Sequence, residues 1–372
     1  MIKKLEYKQN NILNNKLNLL RDKIDILDTK LLSILSKRYN LVKKIGKIKQ
    51  QHGLPVYILE REKYVINLRK KEAKNIGLSA NFIEKILNNI MYESYIYENM
   101  EGFKKLNINL KKILIIGKIY NTGYIFKKLL TLSNYDVSMI NHDFWLIKNF
   151  HSYFIDVEMI ILNISITSLN DVLKYLPKLS NNCILVDITP IKYISINKIL
   201  DQYSGPVLYI YPILPSNNIS ILTKQKIIYS HGRLSNMYNW FLKQIKLWGA
   251  ELVHIKDHKN YQYISIIQAL QYFNMLTMNA FLLKEKYQKK IFKKLIPLFN
   301  DLEYKYYKNF FTTDIVLYQQ ILISVQKKFN LYEQYINHLN NILFLIKNKN
   351  INDINNINHR IKEFYNINDH QN

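Results

Sequence analysis

Residues 17–49 read LNLLRDKIDILDTKLLSILSKRYNLVKKIGKIK, and their apolar side chains recur every three or four positions. This spacing predicts one long amphipathic helix, because residues three and four apart lie on the same helical face. The helix is expected to end at Gly53-Leu54-Pro55, where two residue types that interrupt helices occur close together. The apolar positions are Leu17, Leu20, Ile24, Leu27, Leu31, Ile34, Leu35, Leu41, Ile45 and Ile48.

Two further helices are predicted in the first 100 residues. One runs from about residue 60 to residue 75 and ends before Gly77. The next begins near Ser79 and continues to about residue 99, again with apolar side chains at helical spacing. Residues 1–100 are therefore predicted to be an all-helical domain.

Beyond a polar linker at residues 101–111, the pattern changes to short apolar runs separated by segments of helix length. This alternation predicts βα units around a mainly parallel sheet over residues 112–260. From residue 261 helical spacing returns, so residues 261–372 are predicted to be a C-terminal helical domain with a polar tail after Lys347. The fold class is thus multi-domain, with α and α/β parts. The apolar runs lie at residues 113–116, 137–140, 159–162, 184–186 and 207–211.

The composition is strongly basic: the 372 residues include 53 Lys+Arg and 28 Asp+Glu, which gives a formal net charge of +25. Basic charge attracts phosphates, so a nucleic-acid-binding protein is an alternative function. However, 47 of the basic residues are lysines and only 9 residues are glycines, a skew typical of AT-rich coding sequence. A diffuse excess of lysine on solvated faces explains the charge without a nucleic-acid partner. The 48% of apolar residues excludes disorder of the whole chain.

The single cysteine, Cys183, leaves no intrachain disulfide and no cysteine-rich zinc site. His254 and His258 are four residues apart but have no evident third ligand, so no metal site is predicted. The longest apolar runs, such as Ile113–Ile116, are far shorter than the ~20 residues that span a membrane. We therefore expect a cytoplasmic protein without a membrane partner.

Arginine is rare in this chain, and its distribution is uneven. A guanidinium group binds a carboxylate through two parallel hydrogen bonds, which the ammonium group of lysine cannot do. Arginines clustered in one domain therefore indicate a ligand with carboxylates, although surface cations on a three-helix module remain an alternative. Four of the six arginines lie in the helical domain: Arg21, Arg38, Arg61 and Arg69.

Helical geometry places some of these residues together. Arg38 and Lys49 are 11 residues apart and point within roughly 20° of each other on one helix. Arg21 points about 100° away from Arg38 and lies roughly 25 Å along the axis, so only a second chain would bring it to the same pocket. Ser94 and Glu98 are i,i+4 neighbours on the third helix.

Several segments resemble a known family: the all-helical chorismate mutase domain of the bifunctional T-proteins, in which the mutase is fused to prephenate dehydrogenase. The resemblance is close over residues 17–99 and looser from Gly117 to about Tyr318. It implies a Rossmann-like dehydrogenase domain and a C-terminal helical dimerisation domain. The matching segments are Leu17–Asp28, Leu31-Leu32 to Arg38, Lys49, Leu54–Tyr57, Glu60–Glu62 and Glu93-Ser94.

The resemblance also implies roles for individual residues. It implies a homodimer in which Arg21 is donated across chains, and a rearrangement of chorismate to prephenate, in aromatic amino-acid biosynthesis, that needs no cofactor. Glu98 would donate a hydrogen bond to the ether oxygen and must then be protonated. The implied contacts are Arg21, Arg38 and Arg61 with the two carboxylates of chorismate, Lys49 and Glu98 with its ether oxygen, and Ser94 with its hydroxyl region.

The second domain departs from the family at the cofactor loop, Gly117–Gly123. A GxGxxG turn would have glycines at 118, 120 and 123, but the chain has Lys118, Tyr120 and Gly123. The first two glycines allow a tight turn and close approach of the backbone to pyrophosphate, so Tyr120 is unfavourable for NAD. The acidic ribose ligand that normally follows the second strand is replaced by Asn141, with Asp143 two residues later as a substitute. If the domain binds NAD, the resemblance implies Gly117, Gly123 and Asn141 as the cofactor-binding residues.

The residue at the position of the family's catalytic histidine also differs. The dehydrogenases of this family have a histidine before a proline there, whereas this chain has Tyr211 before Pro212. A tyrosine, with an unperturbed pKa of about 10, is a poor general base. In that family an arginine of the C-terminal helices binds prephenate, and its position in this chain is occupied by about Asp301 or Asn300. We therefore expect a weak or inactive dehydrogenase domain that is retained because it folds and dimerises with the mutase. The alternative is a fully bifunctional enzyme that also converts prephenate to 4-hydroxyphenylpyruvate with NAD.

Overall fold

The structure, a computed structural model, describes residues 2–117, 122–213, 221–257, 259–284 and 315–365. For residues 2–13, 315–317 and 327–329 it describes the backbone alone. The chain divides into two compact units, Met1–Thr189 with Ile196–Lys256, and Pro190–Ser195 with Asp257–Asn372. Within the described ranges, no helix is both long enough and apolar enough to cross a membrane.

The first 100 residues form three helices, as predicted: α1 (Ile2–His52), α2 (Leu59–Asn75) and α3 (Ala80–Met100). Helix α1 ends immediately before Gly53, whose φ of +65° favours glycine. The Oγ atom of Ser79 caps α3 by accepting a hydrogen bond from the Phe82 amide at 3.4 Å. Both α1 and α2 pack against α3.

The next part of the first unit is a seven-stranded sheet with the order β2-β1-β3-β4-β5-β6-β7. Strands β1 to β5 are parallel, β6 is antiparallel to β5, and β7 is parallel to β6. The sheet confirms the predicted α/β fold. Its strands are β1 (Lys112–Gly117), β2 (Asp136–Ile140), β3 (Val157–Asn163), β4 (Ile184–Asp187), β5 (Val207–Ile213), β6 (Lys226–Arg233) and β7 (Glu251–His254), and its helices are α4 (Thr122–Leu132), α5 (Leu169–Tyr175), α6 (Lys192–Gln202) and α7 (Asn239–Leu247).

The core of the first unit is centred on β1, where Ile113–Ile116 are completely buried. Such a continuous apolar run is typical of a parallel strand that is covered on both faces. The buried indole of Trp248 packs edge-on against Phe126 and Phe241, and its Nε1 donates to the Oγ of Ser133 at 3.0 Å. These contacts join α4 to α7.

The second unit contains α8 (Asn260–Lys284), α9 (Ile315–Phe329), α10 (Leu331–Lys347) and α11 (Ile351–Phe364). Helices α8 and α9 pack through Tyr272 and Tyr318, whose rings stack with centroids 5.1 Å apart. The polar tail predicted after Lys347 contains α11, because apolar residues at helical spacing interrupt its asparagines. The side chain of Asn350 caps this helix by accepting from the Asp353 amide at 3.3 Å.

Candidate active site

A cavity of about 360 Å³ lies among the three helices of the helical domain. Its apolar wall includes Val42, Ile45, Val65 and Met91. Cationic and acidic groups face one another across it, so the cavity suits a small ligand that carries negative charge and polar oxygens. The polar side chains that line it are Arg38, Lys49, Arg61, Glu62, Ser94, Tyr95 and Glu98.

Helix α1 approaches α3 closely because of Gly46. A Cβ atom at this position would lie 3.1 Å from the Cα atom of Glu98 and 3.3 Å from its carbonyl oxygen. Lys49 is three residues further along α1 and therefore lies on the same face. Gly46 thus permits the helix contact that brings Lys49 to Glu98.

Lys49 and Glu98 form an ion pair, with Nζ 2.7 Å from Oε2. The same ammonium donates to the carbonyl oxygen of Val56, also at 2.7 Å. Glu98 is buried, and burial raises the pKa of its carboxyl group, although Lys49 and Arg38 act in the opposite direction. A carboxyl group with a raised pKa can act as a hydrogen-bond donor at higher pH than an exposed one.

Arg38 reaches the cavity from the middle of α1. Its Nη1 donates to the Oγ atom of Ser94, and that hydroxyl in turn donates to the Ile90 carbonyl oxygen at 2.6 Å. Ser94 lies one helical turn before Glu98 on α3. The three residues therefore form one polar strip between α1 and α3.

Helix α2 supplies two adjacent residues to the cavity. The guanidinium of Arg61 is exposed and lies 5.6 Å from the centre of the Tyr64 ring. Glu62 is buried; its Oε2 accepts a hydrogen bond from the hydroxyl of Tyr95, and its Oε1 accepts one from Nζ of Lys224 in the sheet domain.

Arg21 is separate from this group. It is exposed on α1, its Nη1 donates to Oδ1 of Asn18 at 3.3 Å, and it does not line the cavity of its own chain. The structure thus assembles Arg38, Lys49, Arg61, Ser94 and Glu98 in one cavity and leaves Arg21 outside it.

Sequence reasoning assigned no role to Glu62, Tyr95, Val56 or Lys224. Glu62 could have been noted as the neighbour of Arg61, since both fall within the first turn of α2. No sequence signal points to Lys224, because 162 residues separate it from Glu62. Val56 contributes its backbone carbonyl oxygen, which every residue type has, so the sequence could not indicate this contact.

In the sheet domain, the two conspicuous glycines, Gly117 and Gly123, pack against Asn163 at the end of β3. A Cβ atom on Gly117, whose φ is +149°, would lie 2.0 Å from the Asn163 carbonyl oxygen. A Cβ atom on Gly123 would lie 2.4 Å from Nδ2 of Asn163. Close packing of β1 and α4 on β3 therefore accounts for both glycines.

Near the cofactor loop, the structure describes Asn141, Asp143 and Asn163. Asn141 is exposed directly after β2, and the main-chain oxygen of Asp143 accepts from the Leu146 amide at 3.0 Å in a short 3₁₀ helix. Asn163 fills the space beside the two described glycines. Lys118 and Tyr120, where pyrophosphate would approach, lie outside the described residues.

Tyr211 lies on β5, is 9% exposed, and is paired with Ile228 of β6. Asn300 and Asp301, the positions corresponding to an anion-binding arginine, fall outside the described residues, as does His258. His254 ends strand β7 and stacks on Tyr229. Among the residues whose placement is described, no cluster of three or more His, Cys, Asp or Glu side chains could hold a metal ion.

Comparisons with known proteins extend over both domains. Residues 20–99 match the family of chorismate mutase type II. The chain is 33% identical over 332 residues to the T-protein of Enterobacter agglomerans, covering 89% of this chain and 88% of that protein. It is 32% identical over 306 residues to the T-protein of Haemophilus influenzae, covering 82% and 80% of the two chains.

One solved structure has a fold similar to a large part of this chain. A crystal structure of prephenate dehydrogenase from A. aeolicus, in complex with hydroxyphenyl propionate and NAD+, covers 70% of this chain and all of that one. The TM-score is 0.53 at 14% identity, so this likeness establishes the fold. The sequence identity to two T-proteins over most of their length shows that the chain belongs to the T-protein family.

Proposed function

We propose that this protein is a chorismate mutase that converts chorismate to prephenate in aromatic amino-acid biosynthesis. The observation that carries the proposal is the convergence of Arg38, Lys49, Arg61, Ser94 and Glu98, from three helices, on one cavity. Two guanidinium groups, an ammonium, a hydroxyl and a buried carboxyl match a compact ligand with two carboxylates, an ether oxygen and a hydroxyl.

In this proposal the residues act by binding and by stabilising charge. Arg38 and Arg61 hold the carboxylates, and Ser94 lies at the hydroxyl region. Lys49 and protonated Glu98 donate hydrogen bonds to the ether oxygen, where negative charge develops as the carbon–oxygen bond breaks. The reaction is an intramolecular rearrangement, so catalysis consists of holding the reactive conformer and stabilising this charge, and no cofactor is required. The raised pKa of Glu98 supports its role as a donor.

We further propose that Arg21 serves the cavity of a second copy in a homodimer. Its position outside the cavity of its own chain supports this arrangement. So does the row of exposed apolar side chains along α1, which a solvated helix would not favour and a second helix could cover. These side chains include Leu17, Leu20, Ile24, Leu27, Leu31, Ile34 and Leu41.

The mutase proposal is tested by replacing Arg38 with lysine. This substitution keeps the charge and removes the bidentate grip, so kcat/KM for chorismate should fall about 10- to 100-fold, the loss expected for hydrogen bonds to a charged group. The matched control is Arg69→Lys on α2, where Arg69 pairs with exposed Glu72 away from the cavity, and its activity should be unchanged. An Arg38→Lys variant as active as Arg69→Lys would contradict the site.

For the sheet domain, we propose weak or absent dehydrogenase activity. The support is the combination of Lys118 and Tyr120 in the cofactor loop, Tyr211 at the position of the base, and Asn300 or Asp301 at the position of the anion-binding arginine. Full bifunctionality, with NAD and conversion of prephenate to 4-hydroxyphenylpyruvate, is the alternative, favoured by the shared fold.

We propose a cytoplasmic location and small-molecule substrates, with no nucleic-acid or membrane partner.

A further inference from the structure

A charged side chain of the sheet domain contacts a residue that lines the mutase cavity. Lys224 lies in the turn before β6, and its Nζ donates to Oε1 of Glu62, which lines the cavity. The side chain of Lys224 is 28% exposed and that of Glu62 is 9% exposed. An ion pair that is partly shielded from water in this way is screened less by salt than a surface pair.

The surroundings of this ion pair restrict both partners. The ammonium of Lys224 lies 5.5 Å from the ring centre of Tyr57 and 5.6 Å from that of Tyr95. The Tyr95 hydroxyl donates to the second oxygen of Glu62. Burial, followed by the effect of Glu62, raises the pKa of Tyr95, and the same causes raise the pKa of Tyr57 to about 12. Both phenols are therefore neutral, and Glu62 has one oxygen held from each domain.

The backbone that presents Lys224 is fixed on both sides. Lys224 has a φ of +65°, and its amide donates to the carbonyl oxygen of Gly249 at 2.9 Å. The neighbouring Thr223 hydroxyl donates to the Trp248 carbonyl oxygen at 3.2 Å and accepts from Nδ2 of Asn99 at 3.2 Å. Asn99 directly follows Glu98 on α3. The turn is thus anchored to the sheet domain and to the helix that carries the buried carboxyl of the cavity.

A second connection reaches Lys49. The amide of Val56 donates to the carbonyl oxygen of Leu247 at the end of α7, at 3.2 Å. The carbonyl oxygen of the same residue accepts from Nζ of Lys49 at 2.7 Å. Two polar residues of the cavity, Glu62 and Lys49, are therefore oriented through groups of the sheet domain.

We infer that Lys224 is a positioning residue for the mutase cavity, which acts by holding the Glu62 carboxylate in place from the sheet domain. The inference rests on the proposed mutase function. It gives the sheet domain a role in chorismate turnover that is independent of NAD, because Lys224 holds a residue of the cavity wall whether or not the domain performs its own chemistry.

The test compares Lys224→Met, Lys224→Arg and Lys226→Met in the full chain, by steady-state kinetics with chorismate. Lys226 is the matched control, because it is exposed two residues further along and its loss changes the net charge equally. Lys224→Met should lower kcat/KM about tenfold, whereas Lys224→Arg should keep at least half of the activity and Lys226→Met all of it. Lys224→Met with wild-type kinetics, beside an active wild type, would overturn the inference and leave the mutase function intact.

A double-mutant cycle with Glu62→Gln separates positioning from general destabilisation. If Lys224 acts through Glu62, the double variant should be no slower than Glu62→Gln alone. Losses of about tenfold each that multiply to about a hundredfold would overturn the inference, because independent effects combine in this way. If Lys224→Met lowers the melting temperature of the full chain, Lys224→Gln replaces it in the cycle. A wild type that does not consume chorismate would instead refute the mutase proposal itself.

Discussion

At the scale of the residue, the state of Glu98 depends on two opposed effects. Burial favours the neutral acid, whereas Lys49 at 2.7 Å and Arg38 favour the carboxylate, and burial has the larger effect, so the pKa is raised. The proposed chemistry needs the neutral acid as a donor. The same burial that makes the ionised form of Glu98 unfavourable therefore supports its function.

The pH dependence of the mutase follows from this direction. As pH rises through the raised pKa of Glu98, the hydrogen-bond donor is lost and kcat should fall. Below that pKa, the titration of Glu98 should leave kcat unchanged. Glu98→Gln keeps a neutral donor at all pH values, so its profile should be flat over the same range. The measurement is kcat against pH for both proteins. Profiles that fall together would exclude Glu98 as the titrating donor.

The spacing of residues in the sequence predicted part of the site. Arg38 and Lys49 share a helical face, as their separation of 11 residues predicts, and Ser94 and Glu98 share another. Lys224 could not be predicted, because its contact with Glu62 depends on how two domains pack. The hydrogen bond that the Lys49 ammonium donates to the carbonyl oxygen of Val56 is likewise independent of the residue type at position 56.

At the scale of the element, helix α1 is the critical part, because its 51 residues carry Arg21, Arg38 and Lys49. Arg21 and Arg38 lie roughly 25 Å apart along its axis. A single cavity can hold both only if the two arginines come from different chains. This requirement is the physical basis of the proposed dimer.

Subunit complementation tests that arrangement. Arg21→Ala and Arg38→Ala should each be nearly inactive alone. After unfolding and refolding as an equal mixture, half of the dimers are mixed and each has one intact site, so roughly a quarter of the wild-type activity should return. Each variant refolded alone is the control. If Arg21 serves its own chain, no intact site can form and no activity will return.

Strand β1 supplies a second prediction at this scale. Gly117→Ala combines an unfavourable φ, costing about 1–3 kcal/mol, with overlap on Asn163, which adds about 1–3 kcal/mol. Gly77→Ala is the control, since Gly77 also has a positive φ but no atom within 4 Å of its Cβ position. Thermal unfolding of the full chain should show a much larger drop in midpoint for Gly117→Ala. Equal shifts would contradict the packing role.

Elements with a strong periodic pattern were predicted from the sequence, and those with a weak pattern were not. Helices α1 to α3 and strands β1 to β5 correspond to helical spacing or to continuous apolar runs. Strand β6 was not predicted, because its second half, Ser230 to Arg233, has no large apolar side chain and its antiparallel pairing adds no local signal. Helix α11 lies in an Asn-rich segment for which the composition predicts a polar tail.

At the scale of the whole molecule, the net charge of +25 conveys less about function than the positions of the six arginines. Three of them, Arg21, Arg38 and Arg61, are the ones assigned to chorismate, and two of these line the cavity. The sheet domain retains its fold and holds Glu62 through Lys224. If Lys224 positions Glu62 as inferred, the sheet domain is needed for mutase turnover whether or not it has dehydrogenase activity.

The most direct test of this account is to incubate the purified full chain with chorismate, with and without NAD, and to measure chorismate, prephenate and 4-hydroxyphenylpyruvate over time. We predict that chorismate is consumed at the same rate in both reactions and that prephenate accumulates in both. Chorismate that remains unchanged would contradict the mutase, and 4-hydroxyphenylpyruvate formed at a comparable rate with NAD would contradict the weak or inactive dehydrogenase.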